Sequence, residues 1–256
     1  MNRALLLIGA IALLVAGCGD DDDDGGAESG DSAPRLVVSA ASSMQEALTA
    51  CAGGFSQATV RLQFAGSDEL AAQIRQGVKP DVYAAANTRL PEELNAEGLL
   101  SKPIEFATNE FVLAVPKDSE IAGLDDLAEG GVKIAIGSEA VPVGEYTRET
   151  LAALPPAQET AILANVRSNE PDVKGIVGKL TQGAADAGFV YITDVNAAGG
   201  DLKAINLPPQ LEPDVTYGAG VVEGAKQPAQ AQQFVDGLTE GGCAQALTQA
   251  GFGPAP

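Results

Sequence analysis

From Leu36 onward, short apolar runs alternate with segments whose apolar residues recur three or four apart. This alternation constrains the fold more than any other feature of the chain. The runs read as strands and the spaced segments as helices. Strands that alternate with helices build α/β sheets with mainly parallel pairing and crossover helices. The 256 residues, 45% of them hydrophobic, can bury a core in one large domain or two smaller ones. Two α/β lobes with a cleft between them fit this length, and a single doubly wound sheet would use the same elements. In either arrangement a ligand is expected beyond the carboxyl ends of the strands.

The pattern opens with Leu36, Val37 and Val38, followed by the small residues Ser39 to Ser43 and then Met44, Ala47, Leu48 and Cys51 at helical spacing. That is a strand, a turn and a helix. Ser42, with Gln45 three residues later, has the form of a capping box. The same order returns with Val60, Leu62 and Phe64, the turn Ala65–Gly66, and a helix begun by Ser67 and carrying Leu70, Ala71 and Ile74. A helix start offers unpartnered N–H groups and the positive end of a dipole, and small side chains let a ligand approach them. Two such turns on neighbouring parallel strands would face one anion. Further strands are expected at 82–86, 111–115, 132–136, 187–192, 202–207 and 217–222. Helices are expected at 91–99, 146–154, from Pro171 to Leu180, and at 227–238 and 243–247.

Residues 1–17 have the form of a signal peptide: Arg3, an apolar run from Leu5 to Val15, and LVAGC ending at Cys18. The run is too short for an ordinary transmembrane helix. The motif resembles a bacterial lipoprotein signal, cut before Cys18 with lipid on its thiol. Residues 18–34 then form an acidic tether with five consecutive aspartates and nothing to bury, and disorder is expected there. The chain is thus expected to be exported. It would be lipid-anchored on the outer face of the cytoplasmic membrane or in the periplasm. Cys51 and Cys243 remain in the exported part, about 190 residues apart. Export permits a disulfide between them, and two buried thiols are the alternative.

Composition excludes several chemistries. With 35 acidic and 15 basic residues, a formal charge of −20, nucleic acid and anionic membrane surfaces are unfavourable partners. No histidine is present, which removes Ser–His–Asp catalysis and imidazole metal sites. No GxSxG, GxGxxG or GxxxxGK motif occurs. A carboxylate-dependent secreted hydrolase and a surface adhesion protein remain as other classes. An exported α/β chain without catalytic apparatus fits a binding protein better than an enzyme.

Taken in order, SAASSMQEAL, FAGSDELAAQI, GVKPDVYAAAN, FVLAVPKDS, VKIAIGSEAVPVGEY, AGFVYITDV and the terminal GF resemble the periplasmic molybdate-binding proteins of molybdate ABC transporters. The resemblance spans Leu36 to Phe252. It implies a two-lobed type II periplasmic-binding-protein fold, with lobe 1 at 35–112 and 219–256 and lobe 2 at 113–218. By the same resemblance the site comprises the hydroxyls of Ser42 and Ser67, the backbone N–H groups of Val143 and Val173, and the hydroxyl of Tyr191. Gly66 or Asp68 could add a backbone donor beside Ser67, and Tyr146 is a further candidate for lining the cleft. The implied ligand is molybdate, with tungstate as a companion and sulfate or another tetrahedral oxyanion as the alternative. No cofactor and no direct cation site are expected. The implied partners are the membrane permease and ATPase subunits of an ABC transporter, with the binding protein itself a monomer.

Overall fold

The computed structural model describes residues 33–256. The expected signal peptide, the lipidation site Cys18 and all but the last two residues of the tether lie outside the described residues. Strand β1 (Arg35–Ala41) runs through a single 3-10 turn, Ser42–Met44, into helix α1 (Gln45–Gly54). β2 (Thr59–Ala65) and α2 (Ser67–Arg75) repeat the unit, and β3 (Val82–Ala85) and α3 (Arg89–Ala96) add a third. Strands β4 (Ile104–Asn109) and β5 (Phe111–Pro116) follow, separated only by Glu110. Then come β6 (Ile134–Gly137), α4 (Pro142–Ala152), α5 (Pro156–Ala164), β7 (Val166–Glu170), α6 (Val173–Thr181), β8 (Ala187–Tyr191), α7 (Ile192–Ala197) and β9 (Leu202–Asn206). The chain closes with β10 (Val215–Val221), α8 (Pro228–Gly237) and α9 (Gly241–Ala250).

These strands form two five-stranded sheets with the orders β2-β1-β3-β10-β4 and β7-β6-β8-β5-β9. The two-lobed α/β class is therefore present, with mixed rather than mainly parallel sheets. β1 pairs in parallel with β2 and β3, and β6 does so with β7 and β8. β10 runs antiparallel to both β3 and β4, and β5 runs antiparallel to both β8 and β9. β5 and β10 are the strands by which the chain enters a sheet from the other lobe. Each takes the fourth place in its sheet and runs against the βα units that precede it in space. The expected lobe boundaries at 112/113 and 218/219 fall inside these two strands.

The packing follows the residue pattern. Leu36, Val38 and Ala40 on β1 are fully buried, as are Phe111, Val112, Leu113, Ala114 and Val115 on β5. β5 is enclosed on both faces, which explains why its sequence is continuously apolar rather than alternating. β2 and β7 are edge strands, and β7 (VRSNE) alternates between half-buried and exposed positions. Cys51 on α1 and Cys243 on α9 form a disulfide, so the C-terminal helix is tied to the first helix. Beyond α9, Gly253 exchanges backbone hydrogen bonds with Thr108 of β4. Phe252 packs edge-on against Tyr217, with ring centroids 5.2 Å apart.

Candidate functional site

The first βα unit builds one wall of the site. Ser42 and Ser43 both lie in the 3-10 turn that follows the carboxyl end of β1, and both are buried. Ser42 does not close a capping box: neither the turn nor α1 receives a side-chain cap. The 3-10 turn precedes α1, so the N-cap position of α1 falls on Met44, and the hydroxyl of Ser42 is not engaged by the helix start. Ser67, after β2, is the first residue of α2, with Gly66 as N-cap. Its Oγ accepts a hydrogen bond from the Ala86 N–H at 3.1 Å, and its carbonyl accepts one from Tyr83 at 2.8 Å.

The second lobe supplies two helix starts and a strand end. Val143 is the second residue of α4, after Pro142. The Val141 carbonyl accepts from Gly144 and Glu145 N–H, and the Val143 N–H, in the first turn, has no intrahelical acceptor. Val173 is the first residue of α6. The expected opening at Pro171 is displaced because Asp172 takes the N-cap, its Oδ1 accepting from the Gly175 N–H at 3.0 Å. An Asp that caps in this way holds its own residue outside the helix. Tyr191 ends β8, 1% exposed, and its hydroxyl has no hydrogen-bond partner among the described residues. Burial pushes the Tyr191 phenol well above its ordinary pKa, so it remains an O–H donor.

All five residues expected at the site line one cavity: Ser42, Ser67, Val143, Val173 and Tyr191. The cavity has a volume of about 10 Å³, room for about one water molecule, so its walls from the two lobes nearly meet. It is far smaller than the roughly 300–1,000 Å³ of pockets for organic ligands. Gly66 also lines it, whereas Asp68 does not, and Tyr146 stands beside it, donating to the Ala86 carbonyl across the cleft at 3.3 Å. Ser43 is a wall residue that the sequence reading passed over. Two adjacent serines in a single 3-10 turn cannot be ranked by periodicity. The carboxylate in the wall, Asp172, turns one oxygen to the start of α6.

Several contacts join the lobes around this cavity. Glu145 of α4 accepts from Asn87 Nδ2 at 3.2 Å and pairs with Arg89. Lys174 of α6 lies 2.9 Å from Glu46 of α1 and 3.2 Å from Asp194 of α7. Burial alone would pull the Lys174 ammonium down, but Asp194 and Glu46 together hold its pKa above the ordinary value. The fully buried Asp194 carboxyl is pushed up to about 7 by desolvation, which its pairing with Lys174 only partly offsets. At Gly66 the lobes touch through backbone: a Cβ there would collide with the Pro171 carbonyl oxygen. The lobes are thus closed on one another.

Two α/β lobes, closed over a small cavity at the carboxyl ends of their strands, define a binding protein that encloses its solute between lobes. The chain belongs to the bacterial extracellular solute-binding protein family, whose profile matches residues 36–253. It is 33% identical over 252 residues to the molybdate-binding protein ModA of Mycobacterium tuberculosis, with 94% of each chain covered. Among solved structures, it is similar to the substrate-binding domain of a molybdenum ABC transporter protein from Clostridium difficile. That likeness has 26% identity and a TM-score of 0.65, covering 87% of this chain and 99% of the other. The periplasmic molybdate-binding protein of Azotobacter vinelandii shares the fold at 21% identity, with a TM-score of 0.74 and coverage of 85% and 98%.

Proposed function

We propose that the protein captures molybdate, and tungstate with it, and delivers the anion to the permease and ATPase subunits of an ABC transporter. The observation that carries this reading is the Tyr191 hydroxyl, buried without a partner in the wall of the interlobe cavity. A buried O–H without an acceptor costs about 1–3 kcal/mol. An oxyanion oxygen would supply the missing acceptor. The hydroxyls of Ser42, Ser43 and Ser67 and the N–H groups of Val143 and Val173 add further donors from both lobes. Charge-assisted hydrogen bonds contribute roughly 1.5–3 kcal/mol each, so several converging neutral donors can hold a dianion without a cation.

The anion bridges the lobes and favours the closed state, and release follows when the transporter separates them. In this scheme the protein performs no catalysis. It acts as a monomer, held at the membrane by lipid on Cys18, and its lobes divide near residues 112 and 218. Membrane association lost in Cys18→Ser is the outcome expected of the anchor. The relatives named for molybdate support the choice of ligand. Titration calorimetry with molybdate, tungstate, sulfate and phosphate tests it: tight binding of the first two is expected, and sulfate binding without molybdate binding would refute it.

A further inference from the structure

We infer that Tyr217 and Asn109 are specificity-determining positioning residues, which hold the Ser43 hydroxyl as a donor at the cavity and so favour fully deprotonated oxyanions over protonated ones. This inference rests on the oxyanion reading of the site. It starts from a hydrogen-bond chain whose direction is fixed at every link. The Asn109 Oδ1 accepts from the Glu110 N–H at 3.0 Å, which settles which end of the amide is oxygen. The Nδ2 of Asn109 therefore faces the Tyr217 oxygen at 3.3 Å and the Thr193 Oγ1 at 2.9 Å, donating to both.

Tyr217 is fully buried, and its hydroxyl lies 3.0 Å from Ser43 Oγ. With Asn109 donating to the phenolic oxygen, Tyr217 must donate to Ser43. The reverse polarity would leave the Tyr217 proton buried without an acceptor. Ser43, 4% exposed and in the cavity wall, thus receives a hydrogen bond from behind and has its own proton left to give. Ser67 is treated alike: the Ala86 N–H occupies its oxygen and leaves its proton for the cavity.

The consequence is selectivity. A serine hydroxyl without such support can rotate, accepting from a protonated ligand as readily as it donates to an unprotonated one. Molybdate, tungstate and sulfate carry no proton and need donors only. Monohydrogen phosphate carries one proton that needs an acceptor. Ser43, with one lone pair taken by Tyr217 and its proton given to the ligand, is a poorer acceptor for it, and the second oxygen of Asp172 is the competing acceptor in the wall. Thr193 is the second residue of α7, two positions after the Tyr191 that closes the opposite wall. Asn109 ends β4 at the crossing between the sheets, so the relay is anchored in both lobes.

The test compares molybdate with phosphate by calorimetry in mildly alkaline buffer, where phosphate carries a single proton. Tyr217→Phe keeps the ring that packs on Phe252 and Phe106 while removing the donor. The ratio of molybdate to phosphate affinity is expected to fall about tenfold, the value of one hydrogen bond. Asn109→Asp reverses the polarity, because the carboxylate accepts from Tyr217, and the ratio is expected to fall likewise. In a Ser43→Ala background, Tyr217→Phe should leave the ratio where Ser43→Ala alone puts it. A ratio unmoved in both single variants, with molybdate still bound, would overturn the relay alone. A Tyr217→Phe effect that persists without Ser43 would also overturn it. Wild-type protein that binds no oxyanion would overturn the underlying reading and the relay together.

Discussion

Tyr191 is costly to the fold as it stands, and under the proposed function its hydroxyl serves the ligand. Its ring is held by Phe111 and Tyr217, with centroids 5.8 and 5.9 Å away, while its hydroxyl meets no acceptor. Tyr191→Phe should therefore leave the melting temperature of the ligand-free protein unchanged or slightly raised. The same variant should lose the roughly 1.5–3 kcal/mol of a charge-assisted hydrogen bond to the anion, about 10-fold to 150-fold in Kd. Thermal melts and calorimetry on one preparation read both effects; a destabilised protein with intact affinity would mean the hydroxyl serves the fold. Asp194 has the opposite economy. Its folded pKa lies above its ordinary 3.8, at about 7, so the folded state holds the proton more tightly than the unfolded chain. Its contribution to stability is complete below the unfolded value and is lost as pH rises through about 7. Urea unfolding across that range should show a decline that Asp194→Asn flattens.

At the scale of elements, the disulfide is the clearest lever. It joins α1, which starts from the Ser42–Ser43 turn, to α9, which leads to Phe252 on Tyr217. It closes a loop of 192 residues, so removing it frees much of the unfolded chain. Cys51→Ser with Cys243→Ser should lose roughly 2–5 kcal/mol by urea denaturation. Most elements were legible because apolar periodicity survives wherever one face is buried, as in β1, α2 and α6. β4 and β7 were not. β4 (IEFATN) runs almost directly into β5, so the two read as a single apolar stretch, and β7 (VRSNE) is a polar edge strand with no apolar face to betray it. Pairing direction was illegible for a related reason: composition does not record that β5 and β10 enter from the other lobe. At the site, the motifs led to the five residues now found around one cavity. Ser43, Asn109 and Tyr217 escaped because their place depends on a turn geometry and on contacts between residues more than a hundred positions apart.

For the whole molecule, function requires closure, and Gly66 is where closure is most exposed to a single atom. Gly66→Ala places a methyl group against the Pro171 carbonyl of the other lobe. Oxyanion affinity should fall at least about tenfold as the closed state loses population. Small-angle scattering should show a variant that no longer contracts on adding molybdate; normal contraction with normal affinity would show that the lobes meet differently. Closure also acts against a net charge of −20, which opposes anion approach beyond contact range, so encounter should quicken as salt is added. The placement of β10 has one more consequence, in the order of assembly. The sheet of the second lobe is complete once β9 has been made, at Asn206. The first sheet lacks its fourth strand until Val221, leaving β3 and β4 without the neighbour that separates them. A chain emerging from its N-terminus must therefore finish its second lobe before its first. During that interval the open edge of β3 is the point at which a chaperone, or another copy of the chain, has access.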